Sequence, residues 1–269
     1  MGKDADSKEP KILVFDIELF PIWARIWSPW DQNVSLNQVI KDWTVASYAA
    51  KWVGKKEIFY EDTRKRRDCR DDKKILKGIW KLINEADVLI TQNGKSFDIK
   101  KLNARFVMNG MDPPHEPLHV DTKILAKRRF GFTYNSLEYL AIALKTEFKK
   151  LKSKKFIGQD LWTECEAGNI KAWAEMELYN KRDVLATEAV YEKLAKWGTP
   201  GVNLNVFREG TVFRCQCGSS KFHSDGTRTN SGGRYRRYRC VGCGRCSSDS
   251  GQARNLLDKE KRDSLRGRK

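Results

Sequence analysis

The sequence predicts an α/β protein, a mixed sheet flanked by helices, followed by a small cysteine-rich domain. Three observations carry the prediction. Residues 11–18 (KILVFDIE) form an apolar, β-branched run that closes on two acids, as a strand buried on both faces does. Segments of strand composition and segments of helical apolar spacing follow up to residue 196, and five of the seven cysteines crowd into residues 215–246.

The elements follow in order. Residues 1–10 read as a disordered leader, and residues 11–18 as the central strand. After Pro21, residues 22–27, 43–53 and 57–60 have strand composition, the last two joined around Gly54 as a hairpin. Between residues 71 and 86, Ile75, Ile79, Leu82 and Ile83 recur at helical spacing, with Asp71 and Asp72 at the positive N-terminal end. Residues 88–91 read as a short buried strand, and Asn93-Gly94 as a turn into a helix over 97–109 that Gly110 closes. Residues 137–144 and 169–196 are further helices, the second carrying Trp173, Met176, Val190 and Leu194. Between them, residues 145–158 hold six lysines in fourteen positions and read as a surface loop. Pro200-Gly201 marks a boundary, giving a first domain over 11–200, a second over 205–250 and a basic tail over 251–269.

Composition sets the class. Of 269 residues, 40% are apolar and 11% aromatic, which supplies a core and excludes disorder for the whole chain. No apolar run approaches the roughly 18 residues that span a bilayer, and the first nine residues are polar and charged, so neither a membrane span nor a secretory signal is expected. Lys and Arg number 52 against 35 Asp and Glu, a net charge of +17. Residues 202–269 hold 16 of these cations, twelve of them Arg, against 6 acids, which suits a polyanionic partner such as nucleic acid or, equally, a solvated basic tail.

Three acidic motifs stand out. Asp16 and Glu18 are two apart on the first strand, so both side chains leave one face. Asp98 opens a helix after the turn in Asn93-Gly-Lys-Ser-Phe97-Asp98. Tyr179 and Asp183 are four apart on the long helix and share a face. Each alone has a plain structural reading: a solvated strand end, a capping aspartate, an exposed Asp beside a half-buried Tyr.

Together, in this order, they resemble the DEDD superfamily of 3′-5′ exonucleases, in the tyrosine-bearing branch that includes the proofreading domains of family-B DNA polymerases. The resemblance covers residues 11–197 and is nearest to phage and bacterial exonucleases. It implies an RNase H-like fold and a two-metal site in which Asp16, Glu18, Asp98 and Asp183 hold two Mg²⁺ or Mn²⁺ ions, with Asp16 between them. Such ions would stabilise charge on the attacking and leaving oxygens of a phosphodiester, and four carboxylates balance two divalent charges. Tyr179 would orient the attacking water, its pKa of about 10 making it a poor base. Asn93 and Phe97 would contact the terminal nucleotide, Phe97 by stacking. Leu19 stands where relatives often carry a substrate-contacting Thr, so its role is a wedge or packing. Asp121, in Val120-Asp-Thr, is at most an outer support. The lysines of residues 145–155 either track phosphates or form a solvated charge run.

The pairs Cys215-Gln-Cys217 and Cys240-Val-Gly-Cys243 are separated by 22 residues and suit a tetrahedral zinc, which four thiolates would make structural. The first pair is Cys-x-Cys where Cys-x-x-Cys is usual, so His223 or Cys246 stands as an alternative ligand. Cys69 and Cys165 are isolated. Strand, turn and strand across residues 227–239 resemble the zinc ribbons of transposases. Arg234, Arg236 and Arg237, interleaved with Tyr235 and Tyr238, would grip nucleic acid, or else face a protein.

These readings add up to a metal-dependent 3′-5′ exonuclease of DNA with a nucleic-acid-binding zinc ribbon, in the cytoplasm of a bacterium or phage-infected host. Its partners would be single strands or 3′ ends of DNA, or RNA, and a polymerase or other replication or recombination protein. The rival readings are a catalytically silent recombination accessory protein and an exoribonuclease.

Overall fold

The computed structural model describes residues 9–28, 30–148, 155–198, 202–207, 214–230 and 233–248. The expected leader up to residue 8, residues 149–154 of the lysine-rich loop, the Pro200-Gly201 boundary, the turn at 231–232 and the basic tail lie outside the described residues. The chain divides into two compact units, Pro10–Leu194 and one built on the residues from Ala195 onward.

The first unit is organised around β1 (Ile12–Phe20). It runs antiparallel to β4 (Thr44–Trp52) and parallel to β6 (Val88–Thr91). β5 (Phe59–Asp62) extends the sheet beyond β4, and β7 (Leu118–Asp121) extends it beyond β6, giving the order β5-β4-β1-β6-β7. Alternation along β1 sorts its side chains. Leu13, Phe15 and Ile17 join one core with Ile75, Leu76, Ile79 and Ile83 of α1 (Lys73–Glu85) and Leu102 and Phe106 of α2 (Asp98–Met108). On the other face, Phe20 and Ala46 meet α5 (Asp160–Glu166) and α6 (Ile170–Ala195) through Leu161, Cys165, Trp173 and Met176. Phe20 sets its ring edge-on to Trp173, centroids 5.9 Å apart. Asp16 and Glu18 therefore point to the α5–α6 side. Among the described residues, no helix is long and apolar enough to cross a membrane.

The sequence overestimates one strand and, among the described residues, misses two strands and two α-helices of this unit. Residues 22–27 contract to β2 (Trp23–Ala24), which pairs only with the unexpected β3 (Val39–Lys41) in a separate two-stranded sheet. Pro21, directly before the segment, limits how far a ladder can run. Also unexpected are β7, α3 (Thr122–Arg129) and α5; α4 (Leu137–Ala143) falls where helical spacing put it. The second unit is an antiparallel three-stranded sheet, β10-β9-β8, of β8 (Phe222–Asn230), β9 (Gly233–Cys240) and a third, unexpected strand β10 (Cys246–Ser248).

Candidate active site

β1 brings Asp16 and Glu18 to the face that meets α6, and α6 brings Asp183 from the far end of the domain. One carboxylate oxygen from each lies within 4.8 Å of the other two, Asp183 buried and the others half-buried. Neutral donors hold two of them. Asn180, wholly buried on α6, donates Nδ2 to Asp16 Oδ2 at 2.8 Å and to the Asp16 carbonyl at 3.3 Å. The Trp162 indole of α5 donates to Glu18 Oε2 at 3.2 Å. Asn180 is itself oriented by Ser47, opposite Glu18 on β4, whose hydroxyl donates to Asn180 Oδ1 at 3.1 Å. Tyr179, one turn before Asp183, sets its ring edge-on to Trp162, with centroids 6.1 Å apart.

Asp98, the fourth expected acid, stands outside this group among the described residues. Its Oδ1 accepts from the backbone N–H of Ile17 at 3.3 Å, on the strand between Asp16 and Glu18. Burial pushes its carboxyl up to about 6; its own N–H and that of Ile17 pull it down, and the Asp121 carboxylate adds to the rise.

The turn before Asp98 is built tightly. Asn93 adopts a left-handed φ of +70°, which Asn tolerates, and a Cβ at Gly94 would lie 2.3 Å from Thr91 Oγ1. Asp121 ties the turn down. It is 3% exposed, and its two oxygens accept from the backbone N–H groups of Asn93 (3.0 Å), Lys95 (3.1 Å), Lys123 (3.0 Å) and Ile124 (3.2 Å). Asp121 is thus the N-cap of α3 and the anchor of the Asn93 turn. Asn93 Oδ1 accepts from Lys123 Nζ at 3.1 Å. Phe97 is 41% exposed, with Lys101 Nζ 5.9 Å from its ring and 3.8 Å from that of Trp43. Leu19 packs on the α1–α2 core, the second of its two expected roles.

In the other unit the four sulfurs of Cys215, Cys217, Cys240 and Cys243 lie within 4.8 Å of one another, and neither His223 nor Cys246 belongs to the group. Cys215 and Cys243 are 3.5 Å apart, Cys217 and Cys240 3.6 Å, close to the edge of about 3.8 Å that a tetrahedron with 2.3 Å zinc–sulfur bonds requires. The Cys-x-Cys spacing closes because both pairs end alike. Gly218 and Gly244 follow Cys217 and Cys243 at φ +89° and +73°, donating to the carbonyls of Cys215 and Cys240. Burial opposes ionisation of Cys240, yet the backbone N–H of Cys243 and further donors bring its thiol down to about 7. Cys246 instead contacts Asp225 Oδ2 at 3.5 Å.

The arginine run is not one surface. Pairing along β8 and β9 puts Arg234 opposite Thr229 and Arg236 opposite Thr227 on one face. Alternation sends Arg237 to the other face, where its Nε donates to the Asp225 carbonyl at 2.9 Å and it pairs with the Asp225 carboxylate at 3.1 Å. Grouping Arg237 with Arg234 and Arg236 overlooked the two-residue period of a strand.

A family model described as the RNase_H superfamily matches residues 39–195, more than half of the chain. The chain belongs to the RNase H superfamily. The matched span takes in Asp98 and Asp183 and begins after β1. No curated protein matches in sequence. Among solved structures, the family B DNA polymerase from the hyperthermophilic archaeon Pyrobaculum calidifontis superposes with a TM-score of 0.49 and 16% identity, over 70% of this chain and 25% of that one. The likeness thus spans a quarter of the polymerase.

As in other RNase H-like nuclease folds, which normally use divalent metals, the converging groups here are hard oxygen donors, and Asp16, Glu18 and Asp183 fit such an ion. Sequence reading missed the residues that orient them, Asn180, Trp162 and Ser47. One signal was present. Asn180 lies in the buried stripe of Trp173, Met176, Val184 and Thr187 on α6, and an amide on a core stripe calls for a specific partner.

Proposed function

We propose that this RNase H-like protein is a metal-dependent 3′-5′ exonuclease of DNA, of the tyrosine-bearing DEDD type, with a C-terminal zinc ribbon that binds nucleic acid. The observation that supports this best is the meeting of Asp16, Glu18 and Asp183, drawn from opposite ends of the domain, with Tyr179 one turn away on the same helix.

In this reading Asp16, Glu18 and Asp183 hold the divalent ions, and Asp98 is the fourth acid, tied to the strand that carries the first two. Divalent ions bound there supply positive charge opposite the attacking and leaving oxygens of the phosphodiester. Asn180 and Trp162 fix the carboxylates of Asp16 and Glu18, so little reorganisation remains when substrate arrives. Tyr179 positions water with its hydroxyl, and its ring is braced by Trp162. Phe97 stacks on the terminal base and Asn93 meets its sugar or phosphate. On the ribbon, Arg234 and Arg236 contact phosphates, whereas Arg237 is a brace for Asp225; Cys215, Cys217, Cys240 and Cys243 hold one structural zinc.

The test is a gel time course with 5′-labelled single-stranded DNA and RNA of one sequence, in Mg²⁺, Mn²⁺ or chelator, beside Asp16→Asn. A metal-dependent ladder shortening from the 3′ end, absent in the variant, is expected. Internal cuts, or a ladder on RNA alone, would overturn the direction or the substrate, and tight binding without product in either metal would favour the silent accessory reading. Zinc release should give one equivalent per chain, retained in Cys246→Ser and lost in Cys243→Ser.

A further inference from the structure

Between β1 and β4 the chain leaves the sheet for residues 21–43, and among the described residues of the first unit this excursion carries the three most exposed tryptophans. Trp27 is 98% exposed, Trp30 78% and Trp23 43%. An indole offers one of the largest apolar surfaces of any side chain, and leaving it in water forgoes the burial that elsewhere stabilises the fold. The excursion is nonetheless firmly based. Arg70 donates to the Pro21 carbonyl at one end (3.0 Å) and the Asp42 carbonyl at the other (2.6 Å), and its guanidinium grips Glu166 at 2.6 and 2.8 Å. Arg70 also lies 5.6 Å from the Trp23 ring, and Lys41 4.4 Å from it, so Trp23 is spent on the base while Trp27 and Trp30 lie beyond it.

Glu166 ends α5, the helix whose Trp162 holds Glu18. The base of the arm is therefore fastened to the same helix as the acidic group. Trp27 lies nine positions after Glu18, a reach of at most about 30 Å, and Trp30 three positions after Trp27, at most about 10 Å. At about 3.4 Å per stacked nucleotide, the second gap matches two or three bases, and the first is covered by fewer than about ten nucleotides. The chain's net charge of +17 favours an anionic partner; the excursion itself is neutral, Arg25 and Lys41 being matched by Asp31 and Asp42, so its grip on a strand rests on the indoles.

We propose that residues 21–43 form a stacking arm for single-stranded nucleic acid, with Trp27 and Trp30 taking bases of the strand whose end lies at Asp16, Glu18 and Asp183. The inference rests on the proposed function for the identity of the ligand but not on cleavage. Stacking on an indole needs only the π-face that every base presents, so the arm holds strands without regard to sequence.

The test is the anisotropy of labelled oligothymidylate of about twenty nucleotides, binding the full chain in chelator, where no turnover interferes. Trp27→Leu and Trp30→Leu keep apolarity and remove the π-face; each is expected to weaken binding about fivefold or more, and the pair more still. Leu36→Ser, at a residue 89% exposed on the same arm, should leave affinity within about twofold, and a trinucleotide should bind all variants alike. Wild-type affinity for the long strand in the double tryptophan variant overturns the proposal. So does a loss in Leu36→Ser equal to that in the tryptophan variants, which would mark an apolar protein-docking surface instead. A protein that never cleaves but binds through these tryptophans overturns the catalytic reading and leaves the arm; one that cleaves but binds without them does the reverse.

Discussion

Asn180 offers the sharpest test of how the acidic group is assembled. Its amide is fully buried, with Nδ2 2.8 Å from Asp16 Oδ2 and Oδ1 accepting from Ser47 at 3.1 Å. Asn180→Asp preserves shape and the Ser47 contact but turns a donor into a second anion against Asp16. Two unit charges about 4 Å apart repel by about 4 kcal/mol at an effective dielectric near 20. Part of this is avoided at low pH because one carboxyl keeps its proton. A carboxyl whose pKa is raised on folding binds more protons in the folded than in the unfolded state, so stability falls as pH rises through the raised value. The variant should therefore be least destabilised at the acid end, lose up to about 4 kcal/mol by pH 8, and recover on addition of Mg²⁺. Asn180→Ala, which adds no charge, should lose stability independently of pH and need about tenfold or more metal for half-maximal activity. Thermal melts at pH 5 and 8, in chelator and in Mg²⁺, decide the matter. If Asn180→Asp shows the same deficit at both pH values, with no response to metal, the amide does not hold Asp16 in the way described.

Gly94→Ala should cost about 1–3 kcal/mol in urea melts and lower kcat/KM, because its Cβ would lie 2.5 Å from the Thr91 Cβ and force the Asn93–Phe97 turn to move; Thr91→Ala should not rescue it. His119 is held well below an ordinary histidine, at about 4, first by burial and then by Lys95, while its Nε2 meets Thr91 Oγ1 at 2.8 Å. Because the folded value is depressed, its contribution is complete above pH 6.5 and is lost as pH falls toward 4, up to about 3 kcal/mol, a slope that His119→Gln should flatten. Paired replacement of Lys51 and Glu188 by Met should leave urea stability within about 1–2 kcal/mol of wild type or raise it, yet lower kcat.

The parts of the fold legible in the sequence were those where one residue class repeats at one period. β1, β4 and β6 are mostly apolar, and α1 and α6 carry apolar stripes, so their faces followed from local pattern. α3 is fixed by something else. Its sequence, TKILAKRR, is half cationic, and it starts where Asp121 captures two N–H groups, a contact that also serves the Asn93 turn 28 residues earlier. α5 follows the lysine-rich loop and is only seven residues long, too short for periodicity to declare it. At the site, two carboxylates in a core strand called for a reason, and the order of the three motifs, through its resemblance to the exonuclease family, pointed to Asp16, Glu18, Asp98 and Asp183 together. It gave no sign of Trp162, whose bond to Glu18 joins residues 144 apart, nor of the separation of Asp98 from the other three acids.

That dependence on distant contacts explains the buried ion pairs found among the described residues of the domain. Crowded carboxylates on β1 and α6 repel, and apolar packing alone lets a helix slide by a fraction of a turn at little cost. Lys51 of β4 grips Glu188 of α6 with both carboxylate oxygens, at 2.6 and 2.5 Å, on the strand that also carries Ser47. Arg70 grips Glu166 of α5, and Arg105 of α2 grips Asp72 at 2.7 and 2.8 Å while Asp72 accepts from the Val45 N–H of β4. Each helix that supplies a residue to the acids or their supports is thus locked to a fixed register by a charge pair. Desolvation offsets most of the attraction in such pairs, so their net contribution to stability is small. What they supply is geometry, since a bidentate pair has one well-formed position where a greasy interface has several. The Met pair at Lys51 and Glu188 separates the two effects: a chain as stable as wild type but slower means that register is what the ion pair provides, whereas unchanged turnover means that the packing of α6 already fixes Asp183 without it.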